Sequence, residues 1–191
     1  VNEMIKPNII SGLDLTNEAS HKNSNGSVKL MNQSSRSGED ERFGLLVLRH
    51  GSSNINDIKL DDIKISEIYP TPSNSDNNHQ GYGIRFESLN DDSVLNYYDG
   101  IQIENLDISN TGHYGIQIVN RMSGAQPDYY HRNIVIKDSK FNNTGGSGIV
   151  LARCKDVLVE NSEFKGSGSG NDNRMWNRGS SLWTYTCNDT V

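Results

Sequence analysis

One short phrase of sequence occurs twice between residues 133 and 164, and this repetition restricts the fold more than any other feature. Its order is aliphatic, any residue, aliphatic, charged, Asp or Asn, two polar residues and an aromatic ring. The first copy runs from Ile134 to Phe141 and the second from Val157 to Phe164. Looser copies begin at Val28, Ile58 and Ile101. The spacing is uneven but the phrase is kept, so the chain is predicted to repeat one structural unit.

A second repeat, here called the glycine-led run, alternates with the phrase. A glycine introduces a short apolar stretch, and copies begin at Gly44, Gly83, Gly115, Gly148 and, in degenerate form, Ser181. In both repeats apolar residues occupy every second position, β-branched residues are common, and Gly, Asn and Asp lie at the borders. These features predict short strands and not helices.

Strands that repeat at a period of roughly 20–50 residues, with no amphipathic helix between them, predict a solenoid of stacked coils. Each coil would lie about 4.8 Å from the next, which is the distance between hydrogen-bonded strands. Ile134, Ile136 and Phe141 are predicted to point inward. One Asn or Asp of each phrase would lie at a bend, where its side chain tolerates unusual dihedral angles. We interpret these residues as a structural ladder and not as a catalytic set; they are Asn32, Asp62, Asn105, Asp138 and Asn161.

The composition argues against two classes of protein. The 191 residues are 33% hydrophobic, which suits a fold with much surface per residue. Lys and Arg number 18 against 24 acidic residues, giving a net charge of -6. A nucleic-acid partner is not expected, because phosphate contacts need clustered positive charge. No apolar run reaches the length of about 18 residues that a membrane-spanning helix needs, so no membrane partner is expected.

The segment from Asn133 to Leu151, which contains both repeats in order, resembles the right-handed parallel β-helix proteins of the pectate-lyase-like superfamily. The resemblance implies an all-β fold, a right-handed parallel β-helix of about five to six coils. It also implies a secreted or periplasmic protein with a polysaccharide as its partner, because the superfamily includes lyases, glycoside hydrolases, epimerases, tailspikes and adhesins. The polygalacturonase motifs are missing, and residues 112–115 are only a distant echo of one of them.

The two ends of the chain lead to separate expectations. Residues 1–27 are expected to form a degenerate N-terminal turn or cap, and residues 28–191 the coils. Asn188–Val191 matches Cys154–Val157, so a further strand is expected to begin there. A coil that stops at that point exposes its interior and an unpaired sheet edge. We therefore expect a fragment of a longer β-helix, whose open end is covered by further C-terminal coils or by a partner chain.

The outward side of the glycine-led runs, together with the loops inserted between strands, is the predicted substrate-binding surface. It carries aromatic, arginine and amide side chains. Sugar rings stack on aromatic rings through their apolar faces, and guanidinium groups bind hydroxyls and carboxylates. The predicted binding residues are Arg85, Gln117, Asn120, Arg121, Arg153, Arg174, Trp176, Trp183 and Tyr185. The alternative is that Trp183 and Tyr185 are covered by the inserted loops as a secondary core.

Two kinds of catalysis are compatible with this surface. A lyase acting on a uronic acid polymer needs a cation, a base and an acid. The candidates for the cation are Arg85, Arg121, Arg132 and Arg153, and the candidates for proton transfer are His131, Tyr129 and Tyr130. Hydrolysis needs two carboxyls about 5–9.5 Å apart, and Glu87 is the outward acid of the glycine-led runs. Its partner would be a loop aspartate: Asp91, Asp92, Asp99 or Asp128.

The predicted function is therefore that of a polysaccharide lyase or glycoside hydrolase. It would bind a long, acidic polysaccharide in a groove along the outside of the β-helix. The alternative is a non-catalytic glycan-binding or structural β-helix, such as a tailspike or adhesin. The inserted loops favour the enzyme, because a stalk has no need of their Arg, Tyr, His and Trp residues.

Two further groups of residues can be explained by a structural role. The resemblance makes calcium a candidate cofactor, with oxygen ligands from residues 90–92 and 170–173, but a place at turns explains these residues equally well. Cys154 and Cys187 are 33 residues apart in equivalent positions. They are predicted to stack in the interior as free thiols, and no zinc or catalytic role is predicted for them.

Overall fold

The computed structural model describes residues 8–16, 41–49, 55–68, 80–89, 97–121, 129–168 and 179–190. These residues form an all-β arrangement of two parallel sheets. Sheet 1 contains β1 (Asn8–Thr16), β3 (Ile55–Ile68), β5 (Tyr98–Thr111), β7 (His131–Lys137), β8 (Lys140–Thr144), β10 (Cys154–Glu160), β11 (Glu163–Lys165) and β13 (Asn188–Thr190). Sheet 2 contains β2 (Glu41–Arg49), β4 (Gln80–Leu89), β6 (Ile116–Arg121), β9 (Ile149–Ala152) and β12 (Leu182–Tyr185).

The chain passes alternately through the two sheets. The order in sheet 1 is β1-β3-β5-β7-β10-β13, and the order in sheet 2 is β12-β9-β6-β4-β2, so strands that are neighbours in a sheet come from successive passages. One passage through sheet 1 followed by one through sheet 2 is called a coil below. Parallel strands need long crossover connections, and here the strand of the opposite sheet provides each crossover. This arrangement of parallel sheets is consistent with the β-helix-like solenoid that the alternating repeats predict.

The register confirms that equivalent residues of the repeats lie above one another. Ile103 pairs with Ile136, and Ile136 pairs with Val159. Ile134, Ile136 and Phe141 are fully buried, as predicted. The ring of Phe141 stacks on that of Phe164 with centroids 4.9 Å apart. The apolar residues of both repeats therefore form one continuous core between the sheets.

The glycines that lead the second repeat have a steric cause. A Cβ at Gly115 would lie 2.5 Å from the carbonyl oxygen of Gly148 and 2.8 Å from Cδ1 of Phe141. A Cβ at Gly83 would meet the next glycine-led run and Ile108 in the same way. The last apolar residue of a phrase thus packs directly on the glycine that opens the preceding run. This contact joins the phrase of one coil to the glycine-led run of the coil before it.

Bends between strand segments occur at residues with left-handed backbone conformation. Asp62, Asn105, Asp138 and Asn161 have φ of 54°, 54°, 52° and 49°, so four of the five predicted bend residues adopt it. The fifth, Asn32, lies outside the described residues. The same conformation recurs five residues before and after each of them, at Asp57 and Glu67 in one coil and at Gly100 and Asn110 in the next. Asn and Asp tolerate it better than other non-glycine residues, which explains their abundance.

The amide side chains at these bends bond along the stack. Nδ2 of Asn105 donates to Asp61 at 2.8 Å, and Nδ2 of Asn133 donates to Asp99 at 2.7 Å. Nδ2 of Asn143 donates to Asn110 at 3.3 Å. Each bond connects one coil to the coil before it. The interpretation of these residues as a structural ladder agrees with this pattern.

The N-terminal part of the stack differs from the simple repeat. β1 pairs directly with β3, with Ile10 opposite Leu60 and Leu13 opposite Ile63. The phrase copy at Val28 and the predicted boundary between residues 27 and 28 lie outside the described residues. Residues 8–16 therefore supply the strand that precedes β3 in sheet 1.

The last strand confirms one expectation and corrects another. A strand does begin at Asn188, as the match with the preceding coil predicts. Its register was wrong by one residue, because Asn188 lies opposite Lys155 and Thr190 lies opposite Val157. The spacing of 33 residues that relates β12 to β9 continues through this strand, whereas the predicted match required 34. Among the described residues, no helix has the length and apolar character needed to cross a membrane.

Candidate functional site

The outward side of sheet 2, called the outer face below, carries four of the nine predicted binding residues, Arg85, Gln117, Trp183 and Tyr185. The register aligns them in two columns along the stack. The first column is Leu46, Arg85, Gln117, Val150 and Trp183, and the second is Leu48, Glu87, Val119, Ala152 and Tyr185. The residues of each column therefore occupy equivalent positions in successive coils.

Most of the outer face is not accessible, however. Arg85, Glu87, Val150 and Ala152 are between 0% and 2% exposed, and Leu46 and Val119 are also buried. Gln117 is half-buried. The expectation of a long, open surface along the stack is wrong for these coils. Phe43, Leu46, Tyr82, Tyr114 and Val150 form a second apolar cluster apart from the main core.

Arg85 and Glu87 are partners of each other inside this covered region. Nε of Arg85 lies 3.2 Å from Oε2 of Glu87. The guanidinium carbon of Arg85 also lies 4.7 Å from the ring centre of Tyr82 and 5.7 Å from that of Phe43. A buried cation needs such a carboxylate and such ring faces to offset its desolvation. The geometry gives both residues a role in packing.

His131 is fully buried at the start of β7. Its Nδ1 accepts a hydrogen bond from the backbone N–H of Tyr98 at 3.0 Å, and the two rings lie 5.1 Å apart. The hydroxyl of Tyr98 in turn bonds to the carbonyl oxygens of Val47 and Glu87 at 2.9 and 3.0 Å. This network links the first residues of β5 and β7 in sheet 1 to the C-terminal parts of β2 and β4 in sheet 2. A substrate on the surface has no access to the imidazole in this arrangement.

The other predicted residues at this end of the coils are dispersed. The guanidinium carbon of Arg132 lies 4.2 Å from the ring centre of Tyr97, and Tyr130 is half-buried. Nδ2 of buried Asn120 donates to the carbonyl oxygen of Tyr129 at 3.4 Å. Arg121 ends β6, with its backbone opposite Leu89. The structure does not bring Arg132, His131 and Glu87 together at one exposed point.

Trp183 and Tyr185 are the exposed part of the outer face. They are 42% and 46% exposed, and they are the large hydrophobic side chains that remain exposed among the described residues. Their ring centres lie 5.9 Å apart, with 45° between the ring planes. The alternative in which the inserted loops cover these two rings is therefore wrong. The pair is called the aromatic pair below.

Arg153 lies at the bend that follows β9, next to the aromatic pair. Its φ is 55°, and its backbone N–H donates to the carbonyl oxygen of Tyr185 at 3.2 Å. Its own carbonyl oxygen accepts a bond from the backbone N–H of His131 at 3.0 Å. Arg153 is half-buried. The backbone thus fixes one arginine at the end of the strand that carries the aromatic pair.

A shallow cavity of about 570 Å³ lies on sheet 1, along the first column of bends. Its lining includes four carboxylates, from Asp57, Asp99, Asp156 and Asp189, and an apolar part from Val135 and Leu158 among others. The sequence reasoning did not identify this cavity, because it explained aspartates at bends by backbone geometry alone. That explanation holds for three of the four, whose φ values are 55°, 54° and 49° at residues 57, 156 and 189. Asp57, Asp156 and Asp189 occupy the equivalent position of their coils, and this was the signal that they share a surface, whereas Asp99 lies one residue before that position.

Some predicted residues lie outside the described part of the chain. These are Arg174 and Trp176, and the possible calcium ligands at residues 90–92 and 170–173. Within the described ranges, no group of three or more His, Cys, Asp or Glu side chains is arranged to hold a metal ion.

Cys154 and Cys187 are free and lie in successive coils. The backbone N–H of Cys154 lies 3.4 Å from Sγ of Cys187, and Sγ of Cys187 lies 3.5 Å from the carbonyl oxygen of Leu151. Burial raises the pKa of the Cys154 thiol well above its ordinary value. A hydrogen bond with Cys154 lowers the pKa of half-buried Cys187 to about 7.

The fold resembles solved structures of a glycoside hydrolase. No protein-family model and no curated protein matches the sequence. Two crystal structures of the GH136 lacto-N-biosidase from Eubacterium ramulus, the selenomethionine derivative and the native protein, match with TM-scores of 0.59 and 0.57. Each is 20% identical to the chain, and the match covers 77% of this chain and 27% of the other. The chain thus spans about a quarter of the length of those proteins, and the likeness concerns the fold.

Proposed function

We propose that this chain is part of a right-handed parallel β-helix that binds a glycan on the outer face of its last described coil. The observation that carries the proposal is the aromatic pair. Trp183 and Tyr185 stand side by side and exposed, whereas the equivalent residues of the preceding coil, Val150 and Ala152, are buried. Exposed aromatic side chains grouped in this way mark a binding surface, and sugar rings stack on such faces.

The number of arginines near the aromatic pair bears on whether the glycan must be acidic. Of the arginines expected to bind an acidic polysaccharide, Arg85 already pairs with Glu87 inside the covered region. Arg153 is the described arginine at the end of the strand that carries the aromatic pair. One such cation suits an occasional carboxylate or hydroxyl group. We therefore base the proposal on aromatic stacking, which does not require an acidic polysaccharide.

An enzyme, with hydrolysis as its leading reaction, is the first form of this proposal. The fold likeness to a lacto-N-biosidase supports it, as does the cavity on sheet 1. Asp156 and Asp189 line that cavity from adjacent strands. Adjacent strands lie about 4.8 Å apart, and hydrolysis with retention uses two carboxyls about 5–5.5 Å apart. A secreted or periplasmic location is part of this proposal.

A non-catalytic glycan-binding module is the second form. The observation that favours it is the burial of Glu87 and His131, the acid and the base that the sequence suggested. Both are occupied by internal contacts with Arg85 and Tyr98. A lyase that depends on His131 is correspondingly disfavoured.

The experiment is a binding and activity screen with matched variants. The chain is tested against neutral and acidic polysaccharides and against the glycans that lacto-N-biosidases act on. Binding is measured by calorimetry, lyase activity by the absorbance of unsaturated products, and hydrolysis by reducing ends. The double variant W183A/Y185A should lose binding. T184A is the control, because Thr184 lies between the two aromatic residues on the same strand and points to the other side. Equal glycan binding by the double variant and wild type would refute the proposed surface.

The two forms are separated by the carboxylates of the cavity. If the chain is a hydrolase that uses them, D156N and D189N should abolish the release of reducing ends while glycan binding remains. Binding without any release of products by the wild-type chain supports the binding module.

We also propose that further coils or a partner chain cover the sheet edge at β13. Phe164 and Leu182 belong to the interior column of the core, yet they are only partly buried in the last described coil. Covering them would remove apolar surface from water and would pair the free strand edge. Addition of the covering segment should raise the temperature of unfolding.

A further inference from the structure

We propose that the aromatic pair binds two consecutive sugar residues of a soluble, twisted glycan that runs along β12 and not along the stack of coils. The inference rests on the proposed function and adds the direction of the glycan and its class. It differs from the expectation of a groove along the outside of the β-helix.

The spacing of the rings sets the direction. Trp183 and Tyr185 are two positions apart on one strand, so their side chains emerge on the same side. Their ring centres are 5.9 Å apart, which is comparable to the length of one pyranose ring with its glycosidic oxygen. Consecutive sugars that stack on the two rings must therefore follow one another along the strand.

The preceding coil prevents a glycan from extending from β12 across β9. Val150 lies opposite Trp183 and Ala152 lies opposite Tyr185. These two side chains are 0% and 1% exposed. A glycan that continued from β12 over the outer face of the preceding coil would need contact with them. Because they are covered, the glycan has access to the outer face of β12 but not to that of β9.

The angle between the rings selects the shape of the glycan. The two planes are inclined by 45°, so sugars stacked on both must also be turned relative to each other. A soluble chain that twists from one residue to the next has this shape. The flat ribbon on the surface of crystalline cellulose presents its sugar rings in one plane and can stack on only one of the two.

Polar groups lie at both ends of the aromatic pair. Ser181 precedes β12 and Thr186 follows it, and both are exposed. Arg153 adjoins the same end as Thr186, through its bond to the backbone of Tyr185. Hydroxyl and guanidinium groups at these places can bond to sugar hydroxyls beyond the two stacked rings. None of these groups requires a charged sugar.

The test measures affinity against glycan length. The probes are laminari-oligosaccharides and N-acetyllactosamine oligosaccharides, from monosaccharide to tetrasaccharide, with crystalline cellulose as the flat surface. Wild-type chain should bind disaccharides about tenfold more tightly than monosaccharides, because a second ring stacks. In Y185A this gain should disappear while monosaccharide binding remains. W183A should weaken both, and T184A should behave as wild type, with circular dichroism confirming that each variant is folded.

The outcomes distinguish the inference from the proposed function. If wild type binds no soluble glycan, both fail. If wild type binds but Y185A keeps the full gain from the second sugar, or if crystalline cellulose competes better than the soluble chains, the glycan does not follow β12. In that case the inference fails and the glycan-binding function remains.

Discussion

Phe164 lies directly against Gly148, where a Cβ would come within 2.5 Å of Cδ1 of the ring. The same relationship joins Phe141 to Gly115 one coil earlier. In both places a ring from sheet 1 fills the space that the absent side chain leaves at the start of a sheet 2 strand in the preceding coil. The phrase therefore supplies the side chain of this packing contact, and the glycine-led run supplies the space that the side chain fills.

Replacing Gly115 with alanine should strongly destabilise the fold. The new Cβ would meet the carbonyl oxygen of Gly148 at 2.5 Å, and this backbone is held in the stack and cannot move aside. Overpacking of this kind costs about 2 kcal/mol or more. The measurement is the free energy of unfolding in urea. The control is S181A, because Ser181 occupies the equivalent position in the last coil and already carries a side chain. Equal stability of both variants would contradict the close contact.

The left-handed bends predict the effect of a β-branched residue. Asn105 has φ of 54° and donates a hydrogen bond to Asp61. N105V should lose about 1–2 kcal/mol of stability from backbone strain alone, whereas N105G should lose less, because glycine adopts this conformation without strain. Thermal unfolding of the two variants tests the difference. A valine variant as stable as the glycine variant would show that Asn105 is not at a bend.

The charges on the outer side of sheet 1 predict a loss of stability in acid. Burial alone would raise the pKa of Glu104, but hydrogen bonds from Lys59 and Lys137, each 3.2 Å away, outweigh it and lower the pKa below its ordinary value of 4.5. A carboxyl with a lowered pKa in the folded state stabilises the protein above its unfolded pKa, and this stability is lost as the pH falls through the folded value.

The measurement is the free energy of unfolding of wild type and E104Q between neutral pH and pH below 4. The difference between the two proteins should be constant at neutral pH and should shrink below about pH 4.5, where the unfolded carboxyl takes up its proton. A difference that does not change with pH would exclude the contribution of Glu104.

The two cysteines should differ in reactivity. Burial raises the pKa of Cys154, and the hydrogen bond with Cys154 lowers the pKa of Cys187 to about 7. Because the thiolate is the reactive form, a thiol reagent should label Cys187 first, and its rate should rise as the pH passes 7. Mass spectrometry of labelled peptides identifies the site. In the variant C187S the remaining thiol, Cys154, should stay unlabelled in the native state. Rapid labelling of Cys154 in that variant would contradict its buried position.

The alignment of core residues between successive coils could be predicted from the sequence, because a strand with one buried side has a strict period of two residues. Ile103, Ile136 and Val159 align for this reason. The pairing of Ile10 with Leu60 was harder to predict, because residues 8–16 lack the regular phrase. The register at Asn188 was missed by one residue, since a three-residue strand contains too few apolar positions to fix it.

The candidate site was predicted only in part. The period of two identifies which side chains leave the core, and it correctly placed Arg85, Gln117 and Trp183 in one column. It carries no information on what packs over that column. Arg85 is buried against aromatic rings while Trp183 is exposed, and this difference depends on contacts between residues distant in sequence.

The most direct test of the glycan-binding surface is a crystal structure of the chain with a bound oligosaccharide. We expect one sugar ring over Trp183 and the next over Tyr185, with the glycan parallel to β12. Sugars that lie along the bends at Asp99 and Asp156, with both aromatic rings uncovered, would contradict the proposal.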